Sequence, residues 1–161
     1  MTDDNGGTTV IGTAPGDAAA QKKLSELLAE FVSMVPDVTH ALLVSRDGMK
    51  LVDSGVSRTW ADRWAATLGT LASLCENIPG PDGGKGRLQL AWIERDDALI
   101  FVSIAGTSEV FQNNPGNRDG RVDTVLAVIA KRGASVADVG YEMGQLVDRF
   151  APYMVTAVRS L

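Results

Sequence analysis

Cysteine and histidine are almost absent from this sequence: Cys75 and His40 are the only residues of each type among 161. One cysteine excludes an internal disulfide, and one histidine with one cysteine is too few for a zinc site of the usual composition. A solitary histidine at the start of a predicted strand is more often a packed or edge residue than a ligand. Cys75 falls on the apolar stripe of a predicted helix, which favours an inert thiol over a nucleophile.

Basic residues are outnumbered, and long apolar runs are missing. The 15 lysines and arginines stand against 20 acidic residues, and the net charge of −5 argues against a nucleic-acid-binding protein, which needs a clustered basic face. No apolar run reaches the roughly 20 residues that span a bilayer, and the N-terminus lacks the pattern of a secretory signal. We therefore expect a cytoplasmic protein without direct membrane insertion, whose partners are proteins.

The chain is long enough for one hydrophobic core. With 45% hydrophobic residues in 161, a second core is not expected. Residues 1–19 are rich in Gly, Thr, Asp and Ala and are predicted to form a disordered leader, whereas residues 20–161 form a single domain. An insertion loop is expected at about residues 106–121, where Asn, Gly, Pro and charged residues accumulate.

Hydrophobic periodicity predicts three helices and five strands. Apolar residues at three- and four-residue steps indicate helices over about 24–35, 59–78 and 136–154. A tight hairpin is predicted near 39–54, with Asp47 and Gly48 supplying the positive φ angles of its turn. The later strands are RLQLAWIE (87–94), ALIFVSI (98–104) and VDTVLAVIA (122–130). The last two are nearly continuous apolar runs and are therefore predicted to be buried on both faces. The order is α-β-β-α-β-β-β-α.

The glycine-rich stretch NIPGPDGGKGRLQL (77–90) resembles a phosphate-binding loop in composition but lacks the residues that bind phosphate and metal. Pro79 stands where the first glycine of a Walker loop belongs, and Gly86 follows Lys85 where a serine or threonine should bind the metal. The segment also runs from a helix into a strand, so no helix N-terminus faces the loop. It is interpreted as a connector.

Two acidic segments are likewise weak candidates for chemistry. ERDD (94–97) lies in a predicted turn, where solvated charge is the ordinary explanation. Residues 117–123 echo a calcium-binding loop, but the full ligand set and the closing glutamate are missing. The sequence therefore predicts no catalytic residue, no metal site and no cofactor.

Three segments, in their order and spacing, resemble the roadblock / dynein-light-chain superfamily, in particular its bacterial branch of conservon-type proteins from actinobacteria. They are VPDVTHALLVSRDGMKLVDSG, GRLQLAWIERDDALIFVSIAG and VADVGYEMGQLVDRF. The most specific parts are the Ser45–Gly48 hairpin and the segment from Gly140 to Met143. The resemblance covers about residues 24–158 and departs from the family at the long connection between the fourth and fifth strands.

The resemblance implies an α+β fold of the roadblock/profilin type, an α/β sandwich. A five-stranded antiparallel sheet carries the second helix on one face and the first and last helices on the other. Family members are typically homodimers in which the second helix and the edge strand after it pair across a two-fold axis. An edge strand without proline or charge between Leu88 and Ile93 agrees with this. The candidate interface residues are Trp60, Arg63, Trp64, Leu68, Leu71, Leu88, Leu90 and Trp92.

Two uses of the tryptophans remain open at this point. Trp60 and Trp64 either lie at a dimer interface or cover the sheet of their own chain, and neighbouring stripes of one helix can serve both purposes. Arg63, with Arg58, is placed to meet an acidic face of a partner, although exposed arginines often only favour solubility.

The function implied by the resemblance is regulation or scaffolding of a small Ras-like GTPase by a protein that is not an enzyme. The same resemblance implies a complex at the membrane with a histidine-kinase-like sensor and further operon-encoded proteins. Two alternatives stay open. One is a PAS- or profilin-like small-molecule sensor, against which the crowded apolar core argues. The other is a purely structural adaptor subunit.

Overall fold

The computed structural model describes residues 15–114, 117 and 119–155. It contains three α-helices, five strands and a short 3-10 turn after the last helix, in the predicted order. The elements are α1 (Pro15–Met34), β1 (Val38–Ser45), β2 (Lys50–Asp53), α2 (Arg58–Asn77), β3 (Ala91–Glu94), β4 (Leu99–Ser108), β5 (Val122–Ala130), α3 (Val136–Arg149) and the 3-10 turn Ala151–Tyr153.

The five strands form one antiparallel sheet in the order β2-β1-β5-β4-β3, so β2 and β3 are its edges. The long apolar runs of β4 and β5 are buried along nearly their whole length because these strands lie inside the sheet with helices on both faces. One core cluster joins the sheet to α1 and α3, and a second joins it to α2. The predicted α+β fold is confirmed.

The turn between β1 and β2 lies directly against α2. Gly48 has the positive φ of 89° that the turn requires, whereas Asp47 does not have a positive φ, so the prediction was wrong for Asp47. The Gly48 N–H donates to the Ser45 carbonyl at 3.0 Å. A Cβ at Gly69 of α2 would stand 2.3 Å from that same carbonyl oxygen. Only a glycine at 69 allows the helix to approach the turn this closely.

Helix α1 begins earlier than the expected onset of order near Ala20. It starts at Pro15, has Asp17 in its first turn and continues through three alanines. Proline is well tolerated in the first turn of a helix, and an acidic residue there interacts favourably with the helix dipole. Alanine is the strongest helix former. The rest of the predicted leader, residues 1–14, lies outside the described residues.

Strand β3 is shorter than predicted, since the ladder pairs only Ala91–Glu94 with β4. The preceding segment, expected to continue the strand from residue 87, is not part of it. Leu88 packs against the α2-side core, and Leu90 approaches α3 so closely that a Cβ at Gly140 would be 3.0 Å from its Cδ2 atom. The segment is therefore held by side-chain packing, of Leu88 on the α2-side core and of Leu90 on α3, where ladder hydrogen bonds were expected.

The connection between β4 and β5 spans residues 109–121, because β4 extends to Ser108. Its start is packed. Phe111 is 4% exposed and belongs to the core shared with α1 and α3, and the Gln21 side chain donates to the Val110 carbonyl at 2.6 Å. The expected insertion loop therefore begins with a segment that packs, because the aromatic side chain of Phe111 reaches the core.

Candidate functional site

Helix α2 turns small side chains toward its own sheet. Its buried residues recur at three- and four-residue steps and are mostly alanines: Ala61, Ala65, Leu68 and Ala72, with Gly69 beside them. Small residues let the helix axis lie close to the strands, and Leu68 is the one large side chain among them. This face therefore belongs to the folding core and presents little to a partner.

The larger apolar residues of α2 lie one position away, on a second stripe with the same spacing. We call this the outer stripe: Trp60, Trp64, Leu71 and Leu74, with the polar Thr67 between them and Ile78 directly after the helix. Trp60 is 52% exposed, Leu74 58% and Ile78 66%, whereas Trp64 and Leu71 are half-buried. Alternating steps of four and three residues are the pattern by which helices pack against other helices. The outer stripe is thus built for contact but has no helix against it within the described part of the chain.

Aromatic rings cluster at the N-terminal end of the outer stripe. The ring centroids of Trp60 and Trp64 are 5.9 Å apart, and those of His40 and Trp64 are 4.9 Å apart. The Arg63 guanidinium carbon lies 5.2 Å from the Trp60 ring centroid, within the range of a cation–π interaction. Burial lowers the pKa of His40, so its imidazole is neutral at neutral pH.

A groove of about 620 Å³ runs between this cluster and the β3–β4 turn. Arg95 and Asp97 form its far wall, joined by two hydrogen bonds of 2.8 and 2.5 Å, and the Arg95 guanidinium lowers the pKa of Asp97. Arg63 is the cation of the groove that has no ion pair among the described residues. The groove thus combines aromatic walls with one cation available to a partner.

The β3 edge adds apolar surface on both faces of the sheet. Ile93 pairs with Ile100 and therefore points to the α2 side, whereas Trp92 pairs with Phe101 and points to the side of α1 and α3. Ile93 is 37% exposed, Trp92 47%. No other described strand pairs with the outer edge of β3, so its backbone groups on that side have no ladder partner.

The structure separates the eight candidate interface residues into groups. Trp60, Arg63, Leu90 and Trp92 are exposed, and Trp64, Leu71 and Leu88 are half-buried. Leu68 is 4% exposed and packs in the α2-side core, so its assignment to an interface is corrected. Trp60 is mostly exposed, whereas Trp64 packs partly on the α2-side core and on the His40 ring.

Three exposed apolar residues were missed by the sequence analysis. Leu74 and Ile78 continue the outer stripe, and Ile93 lies on the edge strand. The first two could have been found from the sequence, because they prolong the spacing of Trp60, Trp64 and Leu71 without interruption. Ile93 could not, because the face on which a strand residue lies depends on the register with β4.

The side chains that could take part in catalysis or metal binding lie apart from one another. Cys75 is half-buried on α2. Glu94, at the end of β3, lies 3.3 Å from Arg132, whereas Asp97 in the following turn pairs with Arg95. Within the part of the chain that the structure describes, no three His, Cys, Asp or Glu side chains come together in a way that would hold a metal ion. None of the described helices is both long and apolar enough to cross a membrane.

Comparison with known proteins identifies the fold and the family. The family model of the Roadblock/LC7 domain matches residues 24–111. A Roadblock/LC7 domain from Streptomyces avermitilis is 35% identical in sequence, with a TM-score of 0.64 over 80% of this chain and 94% of that one. A second structure of that description from the same organism is 29% identical, with a TM-score of 0.57 over 79% and 97% of the two chains.

Gliding protein MglB from Thermus thermophilus is similar in fold, at 17% identity and a TM-score of 0.63 over 83% of this chain and 90% of that one. No curated protein matches the sequence. The family model covers more than half of the chain, and the first Streptomyces avermitilis structure is 35% identical over 80% of the chain. The chain therefore belongs to the Roadblock/LC7 family.

Proposed function

We propose that this protein is a non-enzymatic regulator or scaffold of a small Ras-like GTPase and that it acts as a homodimer formed through α2 and β3. The outer stripe is the observation that carries the proposal. The small residues of this helix face its own sheet, and its tryptophan, leucine and isoleucine face outward. Exposure of this apolar surface to water is unfavourable, so its burial against a partner is favoured. Family membership supports the same use of this helix.

The proposed dimer places two copies of α2 side by side and extends the sheet across two β3 edges. The groove beside Trp60 then receives the outer stripe of the second copy. The exposed Trp60, Leu74 and Ile78 are the residues from which we expect the largest contributions, since large apolar side chains near the centre of an interface dominate its free energy. Leu68 contributes only to the fold.

The oligomeric state tests the first half of the proposal. Analytical ultracentrifugation of the wild-type protein should show a dimer, and the triple variant Trp60→Ala, Leu74→Ala, Ile78→Ala should be a folded monomer. Trp64 is left in place because it also packs on the core. Tyr141→Ala is the matched control, since Tyr141 is 65% exposed but lies on α3, on the other side of the sheet. A triple variant that remains dimeric would rule out this interface.

The GTPase half requires a partner. The tagged protein is used for affinity capture from native lysate with GDP and, separately, with a non-hydrolysable GTP analogue, and the bound proteins are read by mass spectrometry. A small GTPase recovered in one nucleotide state, and not with the monomeric triple variant, supports a regulator that acts as a dimer. Hydrolysis measured with and without this protein then separates a regulator from a scaffold. Capture of no GTPase in either state would contradict the proposal.

The mechanism we propose is conformational. The dimer stabilises one state of the GTPase by binding it more tightly than the other, and its own residues take no part in bond breaking. We further propose that the protein is cytoplasmic and reaches the membrane only within a complex that contains a histidine-kinase-like sensor and further operon-encoded proteins. Co-purification of that sensor with the protein from membrane fractions is the expected observation.

A further inference from the structure

His40 is the side chain of the groove beside Trp60 whose charge can change near neutral pH. The sequence contains a single histidine, and no other type of side chain has an ordinary pKa between about 5 and 8. The imidazole lines the groove, and its ring centroid is 4.9 Å from that of Trp64. The groove belongs to the proposed dimer interface, so any control that His40 exerts there rests on the proposed function.

Hydrogen bonds decide which ring nitrogen of His40 carries a proton. The Thr39 hydroxyl donates its only proton to the Ile129 carbonyl at 3.1 Å, and its oxygen also lies 2.9 Å from His40 Nδ1. The hydroxyl oxygen can therefore only accept from this nitrogen, so the neutral imidazole carries its proton on Nδ1. Nε2 has no proton in this form and is the atom that becomes protonated at low pH.

The charged side chains of the groove do not favour a further cation. Arg63 of α2 and Arg95 of the β3–β4 turn both line it. Asp97, the carboxylate of the lining, is held by Arg95 through two hydrogen bonds of 2.8 and 2.5 Å. Asp96 in the same turn is exposed to solvent. The lining therefore carries a net positive charge while His40 is neutral, and protonation of His40 adds a second positive charge.

The strands beside His40 provide no anion either. His40 pairs with Ile129 of β5, strand β1 contains no charged residue, and the charged residue of β5, Asp123, lies at the opposite end of that strand. Burial already lowers the pKa of His40 in the single chain, because partial removal of water disfavours the imidazolium. Attraction between an imidazolium and the Trp64 ring is present with or without a second copy, so it does not change the difference between monomer and dimer.

We infer that protonation of His40 dissociates the dimer formed through α2 and β3, which makes the groove a pH-sensitive switch of that interface. The outer stripe of the second copy covers the groove with apolar side chains and removes water from the imidazole. A charged imidazole beside Arg63 loses hydration there and gains no anion, so the dimer binds the added proton less well than the monomer does. By two-fold symmetry each dimer contains two such grooves, and the effect acts twice.

Linkage gives the direction of the pH dependence. Formation of the dimer lowers the pKa of His40 further, so protonated monomers release protons when they associate. The dimer therefore has its full stability above the pKa of His40 in the monomer and loses it as the pH falls through that pKa. We expect the dissociation constant to rise on the order of tenfold from pH 7.5 to pH 5.5, since two histidines act on each dimer.

The test is analytical ultracentrifugation of the full chain over a concentration series at pH 7.5 and pH 5.5, at constant ionic strength. His40→Phe keeps an aromatic ring but cannot take up a proton, so its dissociation constant should be the same at both pH values. If His40→Phe does not fold, His40→Asn serves, because its amide keeps an N–H donor and does not titrate. Tyr141→Ala, exposed on the other side of the sheet, is the matched control and should keep the full pH dependence.

NMR measures the same linkage directly, because the single imidazole gives one set of ring C–H signals. The pKa of His40 should be lower at protein concentrations well above the dissociation constant than well below it. A dissociation constant that stays the same or falls at pH 5.5, or a wild-type pH dependence in His40→Phe, would overturn the inference and leave the proposed dimer intact. A protein that is monomeric already at pH 7.5 would contradict the proposed dimer, and the switch with it.

Discussion

The contact between Gly69 and the β1–β2 turn supplies a quantitative test of how α2 is positioned. In Gly69→Ala the new Cβ would stand 2.3 Å from the Ser45 carbonyl oxygen and 3.1 Å from the Gly48 Cα. Both neighbours are backbone atoms, so neither can rotate away as a flexible side chain would. The helix and the turn must separate by at least about 0.7 Å to reach a tolerable contact.

The magnitude follows from two opposing effects. Overpacking of a tight site typically costs about 1–3 kcal/mol, and alanine in a helix is more favourable than glycine by about 0.5–1 kcal/mol. We expect the variant to be destabilised by about 1–2 kcal/mol. For a chain of this length each kcal/mol corresponds to a change in Tm of about 2–4 °C, so Tm should fall by about 2–8 °C.

The assay is urea unfolding followed by circular dichroism, together with the Tm, at one fixed protein concentration because dimerisation would make stability depend on concentration. Gly144→Ala is the matched control, since it makes the same substitution in a helix where a Cβ meets nothing within 4 Å. It should raise stability by up to about 1 kcal/mol. If Gly69→Ala is as stable as the wild type or gains as much as Gly144→Ala, the close approach of α2 to the turn is refuted.

Two further predictions concern the other face of the sheet and the β2 edge. Phe111→Ala should lower the free energy of unfolding by about 3–5 kcal/mol because the ring is 4% exposed in the core. The control Tyr141→Ala, at an exposed position, should change it by less than about 0.5 kcal/mol. Equal effects would mean that the insertion does not pack. Burial alone would raise the pKa of Asp53, but its hydrogen bonds from Lys50, Gly55 and Val56 lower it overall. Since the folded pKa is below the unfolded one, the stability contributed by Asp53 is present above the unfolded pKa and is lost as the pH falls through the folded pKa. Unfolding free energy should therefore fall less steeply between about pH 5 and pH 2 in Asp53→Asn than in the wild type, and identical slopes would contradict this contribution.

Much of the architecture was predictable because it depends on local periodicity. The order of helices and strands followed from three- and four-residue steps and from continuous apolar runs. The start of α3 is also local, since the Ser135 side chain accepts from the Asp138 N–H at 3.2 Å, as serine does at helix N-termini. The β1–β2 turn was predicted from its glycine. Its packing against α2 was not, because Gly69 carries no local signal for a contact 24 residues away along the chain.

The surface formed by α2 and β3 was likewise predictable only in part from the sequence. The sequence alone determined that α2 carries two apolar stripes. One runs from Trp60 to Ile78 and the other from Ala61 to Ala72, and both repeat at three- and four-residue steps. Only the tertiary structure decided which stripe faces the sheet, that Leu68 is core and Trp60 surface, that β3 pairs over four residues, and that His40 lies against Trp64. Spacing is a property of neighbours along the chain, whereas burial, register and side-chain contacts depend on which distant segments meet.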